Sequence, residues 1–345
     1  LKTAVIAVIF GIVIGGILML VSKHDPFKIY AVLFNGAFGD KFALASSLRW
    51  TIPLLFTGVA SAIAFRGGMF NIGVEGQMYL GALAGALTGI YLTGLSSWVH
   101  IPLIILASAL AGMAWAFVPA LLKVRYNASE VVTTLMLNYV AIYLTDYLVK
   151  YYFIAKGSYG QTIITDQIQK SARMPSLIHA TQLHAGLLIG ILFVVLFYFL
   201  IKKSKLGYEI SISGINPEFA RYGGVSVNRV RMSVMLISGA VAGVGGAVEV
   251  MGITWRFMSH FSPNFGFDGI LASLLGGNTP IGVLLGALFM GSLKAGALTV
   301  ERSTDVSRSL ATIIQGVIIC FVSARYLMAR FPVSKWLDGF KRNNR

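Results

Sequence analysis

The sequence predicts an all-α, polytopic membrane protein, and three observations carry that reading. Of the 345 residues 56% are hydrophobic and only 12% charged, against roughly 25% charged in soluble domains. Mean hydropathy is +0.77, and apolar runs of membrane-spanning length recur along the chain. The 38 glycines fit the same class, because Gly is commoner in membrane helices than in soluble ones. An ordinary soluble enzyme is excluded. The single cysteine, Cys320, excludes an intrachain disulfide and a cysteine metal cluster.

Apolar runs cover 4–21, 50–65, 77–95, 101–122, 131–149, 184–201, 232–254, 281–299 and 308–326. Each can cross a hydrocarbon core about 30 Å thick at about 1.5 Å per residue. A further run, 267–277, reaches only about 16 Å as a helix, half a crossing. The run 4–21 exceeds the apolar stretch of a signal peptide and no small-x-small cleavage site follows it, so it is expected to be a retained helix.

Basic residues orient the spans. Lys202, Lys203, Lys205, Arg221, Arg229 and Arg231 outnumber Glu209 and Glu218 in 202–231, which places that segment in the cytoplasm. Counting outward puts 151–183 outside the cell and the N-terminus inside. The basic tail, with Arg325, Arg330, Lys335 and Lys341, is inside only if the short run counts as a crossing. The expectation is therefore ten transmembrane helices, one of them short and broken, with both termini cytoplasmic. The net charge of +15 is absorbed by this bias, and no interleaved basic and aromatic surface remains for nucleic acid.

Asn71-Ile-Gly-Val-Glu75-Gly76 follows the second span and Asn264-Phe-Gly-Phe-Asp268-Gly269 follows the seventh, sharing the pattern N-x-G-x-acid-G. They occupy equivalent places in two five-helix halves, about 1–150 and 184–330. On the topology above, one copy enters from the inside and the other from the outside, as in a 5+5 inverted repeat, which places broken segments near the midplane beside a substrate path. Asn71, Glu75, Gln77, Asn138, Glu249, Asn264 and Asp268 are the candidate substrate-path residues, because polar groups inside a span are costly. A carboxylate there costs about 2.5–3.5 kcal/mol and marks a partner or a water-lined path. For Glu249 a structural ion pair is the competing reading; for Asn138 it is an interhelical hydrogen bond. The G-x-x-x-G spacings Gly81/Gly85/Gly89, Gly239/Gly243 and Gly282/Gly286 are read as helix-packing faces.

Catalytic motifs are absent: the chain has no Gly-Lys-Ser/Thr phosphate loop, no G-x-S-x-G elbow and no histidines at metal-ligand spacing. No cofactor and no metal is expected. Within 202–231, Asn216 can cap a helix that Pro217 starts, Glu218 suits its positive end, and Gly223-Gly224 can stop it. A helix this short is marginal alone, so a docking partner is expected there.

Five blocks, RGGMFNIGVEGQMYLGA (66–82), NASEVVTTLMLNYVA (127–141), GYEISISGINPEFARYGG (207–224), GGAVEVMG (245–252) and GFDGILASLLGGNTPIGVLLGALFMGSLKAGA (266–297), resemble permease subunits of bacterial ABC importers. The likeness is to the branched-chain amino acid and simple-sugar permease superfamily, a type II importer architecture, and most of all to its nucleoside members. It implies that Gly214, Asn216, Pro217, Glu218, Ala220 and Tyr222 carry the coupling helix that docks in an ATPase cleft. It also implies a cytosolic ABC ATP-binding subunit, a second homologous permease subunit, an extracytoplasmic substrate-binding lipoprotein and residence in the bacterial plasma membrane. A nucleoside is the expected solute; a simple sugar, a branched-chain amino acid or an ion-coupled secondary transporter are the alternatives.

Overall fold

The computed structural model describes residues 13–17, 19–21, 25–156, 162–304 and 316. Apart from residue 316, the run 308–326 with Cys320, together with the basic tail and the start of the run 4–21, lies outside the described residues. Among the described residues the architecture is helical throughout, with isolated backbone bridges Ile164 to Met258 and Ser176 to His184 and no strand. The contacts divide into two units, residues 1–43 with 293–345, and residues 44–292.

In chain order the helices are α1 (Pro26–Phe38), α2 (Lys41–Arg66), α3 (Val74–Tyr91), α4 (Ser97–Tyr126), α5 (Glu130–Leu148), α6 (Gly186–Lys203), α7 (Lys205–Ile215), α8 (Pro217–Tyr222), α9 (Val227–Glu249), α10 (Phe265–Leu275) and α11 (Pro280–Ser303). α5 and α9 each end in a π-helical turn, Val149–Phe153 and Val250–Thr254. Among the described residues six helices have the length and apolar character to cross a membrane: α2, α4, α5 and α9 with their terminal turns where present, α6 and α11.

Two differences from the sequence reading concern α1 and α2. The stretch 22–49 lies between the apolar runs 4–21 and 50–65, yet it contains α1, capped by Asp25, whose carboxylate accepts from the Phe27 and Lys28 amides. It also contains the first two turns of α2, because the helix starts at Lys41 rather than at residue 50. In the first unit Gly36 lies against Thr299 and Gly296 against Leu33, small residues admitting a close helix approach.

In the second unit α3 packs against both α9 and α4, which also pack closely on each other, and it buries Glu75, Gln77 and Tyr79 along with its glycine face. The glycines do what their spacing implies. Gly81 faces the Gly243 backbone, Gly239 faces Gly112, and Gly286 faces Ala272, so side chains on those faces would strike neighbouring helix backbones. The short run appears as α10, 11 residues long.

Residues 162–185 form a layer folded back onto the helix ends. Thr165 and Ile168 bond to the backbone of Phe257 and Trp255, Gln169 to Gly89 and Met174 to Met251. Arg173 stacks on Trp255 with its guanidinium carbon 4.6 Å from the ring centroid, and His100 Nδ1 lies 2.9 Å from Ser171 Oγ. These bonds satisfy backbone groups that the break in helical structure leaves without partners.

Candidate functional site

Three groups of the sequence-selected residues come together, in different surroundings. The first surrounds the break that leads into α3. Asn71 Nδ2 donates to Gln77 Oε1 (2.9 Å) and to Ser238 Oγ of α9 (2.8 Å), while Gln77 Nε2 donates back to Asn71 Oδ1 (3.1 Å). Asn138 of α5 accepts from the Gly76 amide and donates to the Ile72 carbonyl, both at 2.8 Å. Thr134 adds an acceptor for the Ile72 amide at 3.2 Å. Asn71, Gln77 and Asn138 are thus buried and spend their amide groups on the backbone of the break and on one another. These bonds partner backbone groups of an irregular, buried segment, where unpaired groups are expensive.

The second group joins the two motif copies. Glu75 Oε2 of the first accepts from the Gly266 amide of the second at 2.5 Å, and Thr57 of α2 donates to the Phe265 carbonyl at 3.0 Å. The carboxylate sits in the first turn of α3 and against the first turn of α10, so two positive helix ends face it. Asn264 is the exposed residue before α10, in the left-handed conformation with φ 66°; Asp268 is half-buried in the first turn.

The third group was only half legible. Glu249, in the last turn of α9, pairs with Arg49 of α2, Nη2 to Oε1 at 2.5 Å, with side-chain exposures of 3% and 8%. Sequence reasoning missed Arg49, which it left at the end of a loop. The guanidinium carbon lies 4.2 Å from the centroid of the Trp50 ring, which in turn meets Phe265. The pair sits at two irregularities: Pro53 offers no N–H to the Arg49 carbonyl four residues back, and the π-helical turn begins immediately after Glu249. Arg49 Nε, Arg49 Nη1 and Glu249 Oε2 are buried without a hydrogen-bond partner.

His184, in the turn before α6, packs its imidazole against Gly252, just past Glu249. Burial, with the Arg49 charge adding to it, pushes its imidazolium down to about 4. The ring is therefore neutral near pH 7. Its Nδ1 accepts from the Gly186 amide at 3.2 Å, so Nε2 carries the proton, and that N–H is also buried without a partner. A polar residue just ahead of an apolar run was the only sequence signal for His184.

The coupling-loop residues form a separate feature. Asn216 caps α8 with its Oδ1 accepting from the Glu218 and Phe219 amides, both 3.0 Å, and Pro217 opens it. Ala220 is fully buried, whereas Ile215, Phe219 and Tyr222 project outward, Tyr222 being 91% exposed. Gly214 seats the segment on the body: its Cα lies on the backbone of Arg66 to Gly68, and Gly68 holds φ +71°, a conformation only glycine takes readily. That contact abuts the stretch leading to Asn71.

Residues 43–323 match the family model described as branched-chain amino acid transport system / permease component. The chain belongs to that family. Among its relatives, the guanosine ABC transporter permease protein NupP of Bacillus subtilis is 37% identical over 97% of this chain and 96% of its own length. The glucose ABC transporter permease protein TsgB13 of Haloferax volcanii is 33% identical over 97% and 90%. The nucleoside ABC transporter permease protein NupB of Lactococcus lactis is 31% identical over 94% and 90%. No solved structure matches the chain. The family places the chain among multi-pass membrane permeases, and an ion-coupled secondary transporter gains no support from it.

Proposed function

We propose that this chain is the transmembrane permease subunit of an ATP-driven importer that moves a nucleoside into the cell by alternating access. The observation that carries this reading is the full-length likeness to guanosine and nucleoside permeases. The chain has no phosphate loop of its own, so ATP is hydrolysed by a cytosolic ABC partner. An extracytoplasmic binding lipoprotein delivers the solute to the outer face, formed by 151–183. Ile215 at the end of α7 and Phe219 and Tyr222 on the capped α8, all exposed, supply the apolar contact for the ATPase.

The transmission path runs through backbone. Closure of the ATPase pushes α8; Gly214 transmits the push to Arg66 to Gly68, and these lead into the Asn71 break that Asn138 and Ser238 tie to α5 and α9. Movement there reaches Glu75 and its bond to Gly266. A 5+5 inverted repeat of ten spans accounts for this meeting, since two copies of one motif entering from opposite sides converge at mid-depth. The exposed tyrosines Tyr139, Tyr143 and Tyr147 recur at i, i+4 on α5, a stripe of hydroxyls suited to a second, homologous permease subunit rather than to lipid tails.

Likeness to a glucose permease favours a second reading, a simple sugar as solute. Uptake of labelled nucleosides, pentoses, glucose and branched-chain amino acids into vesicles holding the complete complex separates the two. ATP-dependent nucleoside uptake that survives ionophores is the expected result. Uptake that collapses with an ion gradient overturns the ATP-driven reading, and uptake of sugars without nucleosides overturns the choice of solute.

A further inference from the structure

We propose that Arg49, Glu249 and His184 form a subsite for a vicinal diol of the transported solute, with the Arg49–Glu249 ion pair opening to exchange one charged partner for two hydroxyls. The proposal deepens the importer reading above and rests on it. Its starting point is incomplete pairing. A buried ion pair that served only to join α2 to α9 would be expected to satisfy its remaining donors and acceptor, because each orphaned polar group is costly in a dry interior. Here four atoms are orphaned: Arg49 Nε, Arg49 Nη1, Glu249 Oε2 and His184 Nε2.

The chemistry of those atoms selects the ligand. Three are donors and one is an acceptor, given that His184 Nδ1 is already accepting from the Gly186 amide and Nε2 therefore holds the hydrogen. Two neighbouring hydroxyls offer four lone pairs and two hydrogens, which matches a donor-rich set that still contains a carboxylate oxygen. A charged ligand fits poorly, since the pair is already neutral and a third charge would be buried uncompensated. A flat base is also a poor occupant of this spot. One face of Trp50 is covered by the Arg49 guanidinium and its ring meets Phe265, so the aromatic surface beside the pair is taken. The ribose of a nucleoside and the ring of a free sugar both present the required hydroxyls.

The location suits an exchange. Both side chains are nearly inaccessible, so a ligand reaches them only when α2 and α9 part at this level. Pro53 and the π-helical turn after Glu249 place a weak point in each helix beside the pair. Re-forming the ion pair once the hydroxyls leave then closes the same route.

The test compares guanosine, its 2′-deoxy and 2′,3′-dideoxy analogues and free ribose as competitors of uptake into vesicles holding the complete importer. The delivering protein discriminates too, so the informative quantity is the change in each discrimination ratio between the wild type and a permease variant. Glu249→Gln keeps the shape, Arg49→Lys keeps the ion pair while removing the fork, and the double variant Arg49→Gln/Glu249→Gln keeps the site neutral; at least one retains assembly on these grounds. A charged group's hydrogen bond contributes roughly ten- to a hundredfold, so the preference for ribose over dideoxyribose should shrink by about that factor in the variants that assemble. The same shrinkage for sugars alone, with no nucleoside uptake, leaves the diol subsite standing and removes the nucleoside. Ratios unchanged in every assembled variant, with nucleoside uptake intact, overturn the subsite and leave the pair as a helix clamp with water on its spare atoms.

Discussion

Asn138→Ala separates holding the fold from touching the solute. The change deletes two 2.8 Å hydrogen bonds, one from the Gly76 amide and one to the Ile72 carbonyl, and leaves both backbone groups in a buried segment. Interhelical hydrogen bonds in membrane proteins average about 0.6 kcal/mol, which gives a lower figure of about 1 kcal/mol for the two. If neither backbone group finds a new partner, each costs about 1–3 kcal/mol, for an upper figure of about 6 kcal/mol. Unfolding in mixed micelles, followed by the loss of helical signal, measures the difference. Tyr139→Ala, one residue along and exposed, serves as the comparison and should cost less. Stability equal to wild type within about 0.5 kcal/mol, together with weakened solute binding, would refute the reasoning and make Asn138 a solute contact.

Phe219→Ala combined with Tyr222→Ala should leave membrane insertion and assembly normal, since both side chains project outward, and should lower solute-stimulated ATP hydrolysis; undiminished coupling would remove α8 from the mechanism. Gly243→Leu should block assembly, because the new side chain would meet the Ser108 carbonyl and the Gly112 backbone; a monodisperse variant in size-exclusion chromatography would contradict that packing. His184 has a folded-state pKa lowered to about 4 from an ordinary 6.5. The unfolded chain therefore binds the extra proton first, and His184 costs stability as pH falls from about 6.5 toward 4 while costing nothing above. His184→Gln should flatten the pH dependence of unfolding in that window, and an unchanged profile would show that the imidazole titrates normally. A label at Gln169 should react from outside and one at Gly214 only from inside; the opposite pattern would invert the topology.

The sequence made the helical class, the short α10, the cap of α8 and the packing glycines legible because each is a local pattern. Periodicity, a capping residue or a spacing of four decides them. α1 escaped because Lys28 and the flanking Asp25 break its apolar character and it is too short to register as a span. The layer 162–185 escaped because its bonds to Gly89, Met251, Trp255 and Phe257 are long-range and follow no repeat. Asn71, Gln77 and Asn138 stand out as polar groups in apolar surroundings, yet nothing local says that Asn138 spends its amide on the Ile72 and Gly76 backbone while Asn71 and Gln77 bond to one another.

The two buried glutamates show what additional physics would have reached. Both looked alike as acidic residues in apolar surroundings. Glu75 lies in the first turn of α3 and accepts from the first turn of α10, so two helix N-termini face its carboxyl group. Glu249 is buried where α9 passes into its π-helical turn, more than a turn before the helical structure ends at Thr254. A buried carboxylate there requires a cation from elsewhere in the fold. Arg49, followed at once by an apolar run with a proline four residues on, is a basic residue at a matching depth on the expected topology, so the cost of burying a lone carboxylate joined to the orientation of the spans points to the pair that hydropathy alone placed in a loop.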